Sequence, residues 1–443
     1  MVKGDTLPLA PPEVVERLSQ RWGEPGWALD ARREAYEASR QMPFPPPTHE
    51  WWRRTDVASH PYHTFHPMGD GSPRTLGPVR ALLRPLREYS ALVVQREGHT
   101  LRAVLDPEGE RRGVVVLPLQ EAMGRTPHLL REHLGAVIAP LENRFTAMAA
   151  AFRNGGALVY LPPGVPVERP VHIVHVVGRP QGALFPHTLI VAREGSAATI
   201  VEEYWQEGDA PVLVLPVVEI LVEGAAQVRY IAVQSLGRQA LYLSFQRSRI
   251  LGRDASLLTF QGHFGGAFVK TVLENHLQGE GSRSDLLGLL FGEAAQVFDQ
   301  VTLQDHHSPA TTSDLLYKAA LTDRARSVYY GTVKVRRGAI KTDAFQANKN
   351  ILLSPKAKAD SIPVLEIEAD DLRCSHAASV GPLEEEHLFY LRSRGLPLAE
   401  ARRLLVEGFF EPLVQRIPTP WLQGRVWSLI RGKMTPSPGE EGT

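Results

Sequence analysis

The stretch EGSAATIVEEYWQEGDAPVLVLPVVEILVEGAAQVRYIAVQS, residues 194–235, decides the fold. Short β-branched runs alternate here with acidic-glycine turns, and Glu194-Gly195 and Glu223-Gly224 lie 29 residues apart. The pattern continues outward: Gly252 follows 28 residues later, and Glu280-Gly281 follows 29 after that. Small residues trail each glycine: Ser196-Ala197, Ala225-Ala226, Ala255-Ser256 and Ser282. Glycine takes φ > 0 at no steric cost, so a tight turn recurring once per unit prefers it. A fixed period with one turn per unit is the signature of a solenoid, in which each coil buries its face against the next. On spacing alone, an antiparallel sandwich with coincidental glycines is the alternative.

Strand-like runs extend from about Leu158 to Asp370, among them Val171–Val177, Leu189–Val191, Val212–Val222 and Val228–Val233. Upstream, residues 1–40 read as charged helix, with Val14, Val15 and Leu18 at helical spacing. Met42 to Pro47 (MPFPPP) cannot continue a helix, because its prolines lack amide donors. Trp51-Trp52 follows as a packing anchor. Residues 75–105 suit a helix and a short hairpin, and His128–His133 and Leu141–Phe152 suit helices. Downstream, residues 382–417 read as a helical hairpin with Gly395 at the bend and Pro418 and Pro420 ending it. The expected division is a helix-rich domain over 1–150, a β core over 151–375, a helical domain over 376–432 and a disordered tail over 433–443, where TPSPGEEGT follows Met434.

Composition narrows the function. Lys+Arg and Asp+Glu number 49 each, so no net field draws nucleic acid or an anionic membrane. The greasiest run, Ala210–Val222, is interrupted by Pro211, Pro216 and Glu219, which argues against a membrane span. A single cysteine, Cys374, forbids an internal disulfide and, with no apolar signal at the N-terminus, suggests the cytoplasm. Phosphate-loop, dinucleotide, zincin and nucleophile-elbow motifs are missing from the sequence, which weakens an enzymatic reading.

One concentrated site stands out: Cys374-Ser375-His376, just after Asp370 and Asp371. Thiolate and imidazole are good ligands for iron and zinc. On an extended strand, Cys374 and His376 point to the same face. They cannot complete a site, since zinc and four-iron clusters normally want four ligands. For a Cys-x-His taken alone, a small buried cysteine beside a surface histidine remains the plainer reading. Asp305-His306-His307 reads as a polar turn before Pro309, because adjacent histidines on a strand face opposite ways. Lys334, Arg336, Arg337 and Lys341 read as a solvated face.

The block LEIEADDLRCSHAASVGPLEEEHLFYLRSRGL, residues 365–396, closely resembles the C-terminal signature of the SufB/SufD family of iron–sulfur cluster assembly proteins, and within it the SufD branch. TTSDLLYK (Thr311–Lys318), NILLSPKAKADSIP (Asn350–Pro363), FTAMAAAFRNGGALVYLPPGV (Phe145–Val165) and EWWRRTDV (Glu50–Val57) match the family as well. The resemblance implies a right-handed parallel β-helix with α-helical N- and C-terminal domains. It implies a non-catalytic scaffold that pairs with SufB, binds the ATPase SufC through its C-terminal helices, and holds an iron–sulfur cluster only transiently and only in complex with SufB. Cys374 and His376 would sit at the subunit junction as a shared metal site. Leu388, Tyr390, Arg392, Arg394, Leu404 and Phe409 would bind partners, and a homodimer is an option for the chain alone. SufB-like chains carry further cysteines and a His-Glu-Ala in place of Cys-Ser-His. This chain has neither, which puts autonomous cluster assembly in doubt. A β-helix carbohydrate-active enzyme and a SufB-like self-assembling scaffold are the alternatives.

Overall fold

The structure, a computed structural model, describes residues 9–69, 80, 83–84 and 86–434. The β-branched runs form strands that alternate between two sheets, and from Val217–Val222 onward each strand pairs with the one two places along the chain. Val217–Val222 lies in the first sheet, Gln227–Ser235 in the second, and Leu241–Ile250 returns to the first. The pairing within the coils is parallel. Val217 pairs with His187 behind it and Phe245 ahead, while Gln227 pairs with Ala197 and Ser256. This is the register of a parallel β-solenoid of about eight turns, and it removes the antiparallel sandwich. Fully buried Ile190, Ile200, Ile220 and Val222 fill the space between the sheets; each such side chain contributes about 1.5–3 kcal/mol of burial.

The expected turn period is present, but glycine is not its constant. One residue per coil is left-handed in the turn from the first sheet to the second: Gly195 (φ 65°), Ala225 (φ 54°), Asp254 (φ 57°), Gly281 (φ 69°), Ala310 (φ 57°) and Lys341 (φ 60°). Gly252 has a different reason to lack a side chain. A Cβ there would fall 1.9 Å from the Gly224 amide nitrogen, so the turns of successive coils touch through bare backbone.

The N-terminal region lies against the first sheet. Residues 1–40 give two helices, Glu13–Trp22 and Gly26–Gln41, separated by left-handed Gly23 and by Pro25. They pack with the helix Arg144–Phe152 on Leu213, Phe245 and Phe268. That helix begins at Arg144 rather than Leu141, because Asn143 caps it in a reciprocal box with Thr146. Trp52 does anchor this interface: it stacks on Phe145 at 5.7 Å and lies 4.8 Å from the Lys270 ammonium, which pairs with buried Asp299 at 2.8 Å. The expected hairpin is Ala91–Arg96 with His99–Leu105, turning through Glu97 and Gly98 at positive φ. Most of the helix expected ahead of it lies outside the described residues.

At the C-terminus the hairpin helices are Glu385–Ser393 and Leu398–Val414, with Gly395 left-handed between them. Pro420 does not end the helical region as expected. It opens a further helix, Pro420–Met434, because proline suits a first helical turn whose amides are unpaired anyway. Val406, Phe410, Leu413, Leu422 and Val426 bury the last two helices on the outer face of the second sheet. Arg416 fastens them through Asp285 (2.9 Å) and Asp314 (2.7 Å). The tail after Met434 lies outside the described residues.

Candidate functional site

The last coil consists of Lys358–Ile367 in the first sheet and Leu372–Pro382 in the second. Each ends its sheet, so each is paired along one edge only. Leu372–Pro382 runs past the 151–375 boundary drawn from the sequence and carries both candidate ligands. Cys374 pairs in register with Ala344, and His376 pairs with Gln346. Ala344 and Gln346 are buried, facing inward, so Cys374 and His376 continue an interior-facing row. No following coil covers them among the described residues. Cys374 is half-buried against Val333, Val335 and Ala369, while His376 is exposed. Burial pushes the Cys374 thiol pKa up, so a metal ion bound through this sulfur must displace a proton to water or a base. Among the described residues, no third histidine or carboxylate joins these two in a group able to hold a metal ion. The arrangement offers two ligands on one face and an open side.

The edge continues in apolar residues that water would ordinarily reject. Ile340, Phe345, Ile367 and Val380 are exposed around this end. Open, flat strand edges are templates for pairing with another chain.

Directly beyond Pro382, the helix Glu385–Ser393 buries none of its residues. Tyr390, Arg392 and Arg394 are exposed, and Leu388 is intermediate. Phe389, 74% exposed, is the largest exposed apolar group on this helix and was absent from the expected set; the Phe-Tyr pair was the available signal. Leu404 is exposed on the following helix. Phe409 behaves differently: it packs on the solenoid cluster, with the Lys318 ammonium 4.8 Å from its ring. It supports the helix more than it presents a surface.

Asp305-His306-His307 is not a polar turn as a unit. Asp305 and His306 are strand residues, and only His307 lies beyond the strand. His306 points inward and bonds Thr311 (2.8 Å) and Ser313 (2.9 Å), whereas His307 points outward, so the two do face apart. Within the basic stretch, Lys334 pairs with Glu366 and Arg336 with Asp305, both at 2.9 Å. A third polar feature was invisible in sequence. Glu202, fully buried inside the coils, accepts from His175 (2.8 Å), Thr188 (2.8 Å), Tyr204 (2.9 Å) and Tyr230 (2.7 Å). Its ligands come from four strands, so no local motif announces it.

The chain matches the family described as "SUF system FeS cluster assembly, SufBD core domain" over residues 175–409. It matches the SufBD protein N-terminal region over residues 90–173. It is 31% identical to the iron–sulfur cluster assembly protein SufD of Bacillus subtilis (strain 168) over 95% of this chain and 97% of that protein. Against the SufB of the same organism the identity is 28%, over 92% of this chain and 89% of that protein. An iron–sulfur cluster assembly SufBD family protein of Mycobacterium tuberculosis (strain ATCC 25618 / H37Rv) is 32% identical over 77% of this chain and 88% of its own length. No described helix is long and apolar enough to cross a membrane. With its coiled core, its Cys-Ser-His edge strand and these relatives, the chain belongs to the SufB/SufD family of iron–sulfur cluster assembly proteins and stands with its SufD members.

Proposed function

We propose that this chain is the SufD-type scaffold subunit of a cytoplasmic SUF assembly complex, pairing with SufB through the open last coil and with the ATPase SufC through its C-terminal helices. One observation carries the reading: the interior row of the solenoid runs out at Cys374 and His376, two soft ligands on an uncovered edge. A four-iron cluster wants about four protein ligands. A neighbouring subunit that stacked on this edge would both satisfy the strand amides and supply the missing ligands. The nascent cluster is then cargo held between chains, transiently, and this chain alone does not retain it. Without SufB, the same edge would let two copies pair.

The helix Glu385–Ser393 begins three residues after the edge strand ends at Pro382. A partner gripping Leu388, Phe389, Tyr390, Arg392 and Arg394 can therefore pull on the strand that bears the ligands. SufC dimerising on ATP would favour whichever junction geometry brings the two helical hairpins together, the differential contact that a ligand-driven change requires. Catalysis of ATP hydrolysis resides in SufC in this scheme. Co-expression with SufB and SufC, followed by the mass of the purified complex, tests the pairing. One species containing all three chains is expected; this chain eluting with neither partner would contradict it.

A further inference from the structure

Two coils inward from the open edge, three side chains converge on the outer face of the first sheet. His276 lies next to last in its strand, Phe268–Leu277, and pairs in register with Asp305 on the next coil. Their inward neighbours, Leu277 and His306, are fully buried, so His276 and Asp305 point outward together. His307 follows immediately and folds back over the pair. The His276 Nδ1 and His307 Nε2 atoms are 3.3 Å apart. Asp305 Oδ2 is 3.4 Å from the first and 3.1 Å from the second. Ligands about 2.0–2.1 Å from a tetrahedral metal stand about 3.3–3.4 Å apart. The three atoms therefore already form one triangular face of such a coordination shell.

The surroundings suit a metal as well. Asp305 is 2% exposed, while the imidazoles keep 18% and 26% of their surface open, so an ion has a path in and a fourth position toward solvent. Glu274 Oε2 lies 3.5 Å from His276 Nε2, the ring nitrogen that faces away from the triangle. A carboxylate on the outer ring nitrogen fixes the tautomer that leaves the inner one free to coordinate. Arg336, bonded to Asp305 at 2.9 and 3.0 Å, supplies the balancing charge in the metal-free chain.

We propose that His276, Asp305 and His307 form a three-ligand site for a first-row divalent transition-metal ion, with its fourth position open. Two imidazoles and a carboxylate suit zinc or ferrous iron better than magnesium or calcium. The site is separate from Cys374 and His376, so its test is independent of the proposed function. The experiment is a titration of the full chain with Co²⁺, followed by visible absorption, with Zn²⁺ as displacing ion. One equivalent with tetrahedral-type absorption is expected, along with a loss of affinity of at least about tenfold in His276→Gln and His307→Gln. Cys374→Ser/His376→Ala should keep the equivalent held by His276, Asp305 and His307, because neither residue belongs to that triangle. Failure of the parent chain to take up stoichiometric Co²⁺ would overturn the proposal, and this arm holds even if a variant does not fold. Full affinity in both histidine variants, or loss of binding on removing Cys374 and His376 alone, would overturn it too.

Discussion

The two ends of the solenoid are finished differently. At the N-terminal end each sheet closes on an antiparallel partner: Val115–Pro118 against Ala157–Leu161, and His99–Leu105 against Ala91–Arg96. Reversal of direction stops the coil, and helices from the first 152 residues cover the adjoining face. At the C-terminal end the last two strands remain parallel, regular and unpaired on one side. The contrast is sharpest between register partners one coil apart, since Gln346 has no exposed surface and His376 is open to water. Repeat proteins need capping units that blunt a sticky end. This chain caps one end itself and leaves the other uncapped, with the candidate ligands on that side.

Disturbing the closed end should produce the largest change in the chain's own stability. Glu219, buried in the first sheet, accepts from the backbone amides of Gly135 (2.7 Å), Val137 (2.7 Å) and Ile138 (2.8 Å) and from His187 (2.7 Å). Replacing it with alanine strands these donors, and a loss of about 3–5 kcal/mol is expected in urea unfolding. Burial raises the Glu219 pKa, but His187 and the amides outweigh it and leave it below the ordinary 4.5. A depressed carboxyl contributes stability above its unfolded pKa and loses it as pH falls through the folded value. Wild-type stability should therefore drop below pH 4.5, and Glu219→Gln should flatten that part of the curve.

The open end should respond in the opposite way. Ile367→Asp/Val380→Asp places charge on exposed apolar edge positions. Affinity for SufB should fall about 100-fold, equivalent to about 2.7 kcal/mol, with the melting temperature of the isolated chain nearly unchanged. An unaltered affinity, measured by biolayer interferometry, would break the claim that this edge is an interface. Smaller still in stability is Phe389→Ala/Tyr390→Ala, within about 0.5 kcal/mol because both rings are largely exposed. Capture of SufC should nevertheless be lost.

The same contrast governs what could be read from the sequence. Gly195 and Gly281 showed the period because their turns need a left-handed residue and Gly252 because its turn needs bare backbone contact, whereas Gly224 has room for a side chain. The later turns use Ala310 and Lys341 at positive φ, so the repeat vanished from the sequence while persisting in the fold. The extended Cys374–His376 strand was legible because alternation is local. The cluster of His276 with Asp305 and His307 was not, since it depends on a register about one coil long. Pro420 was misjudged because proline both ends and opens helices. The carbohydrate-active alternative yields to the family match over the coils.

The most direct measurement is cluster formation in the purified three-component complex carrying His376→Ala, with complex mass recorded on the same sample. Because His376 is exposed and makes none of the interior contacts, the variant should assemble normally. The account predicts an intact complex whose yield of cluster, followed by absorption and bound iron, falls at least about tenfold, the size expected when a metal site loses a ligand or its close support. An intact complex that builds clusters at the parental yield would contradict the claim that this chain lends its uncovered edge to a shared site.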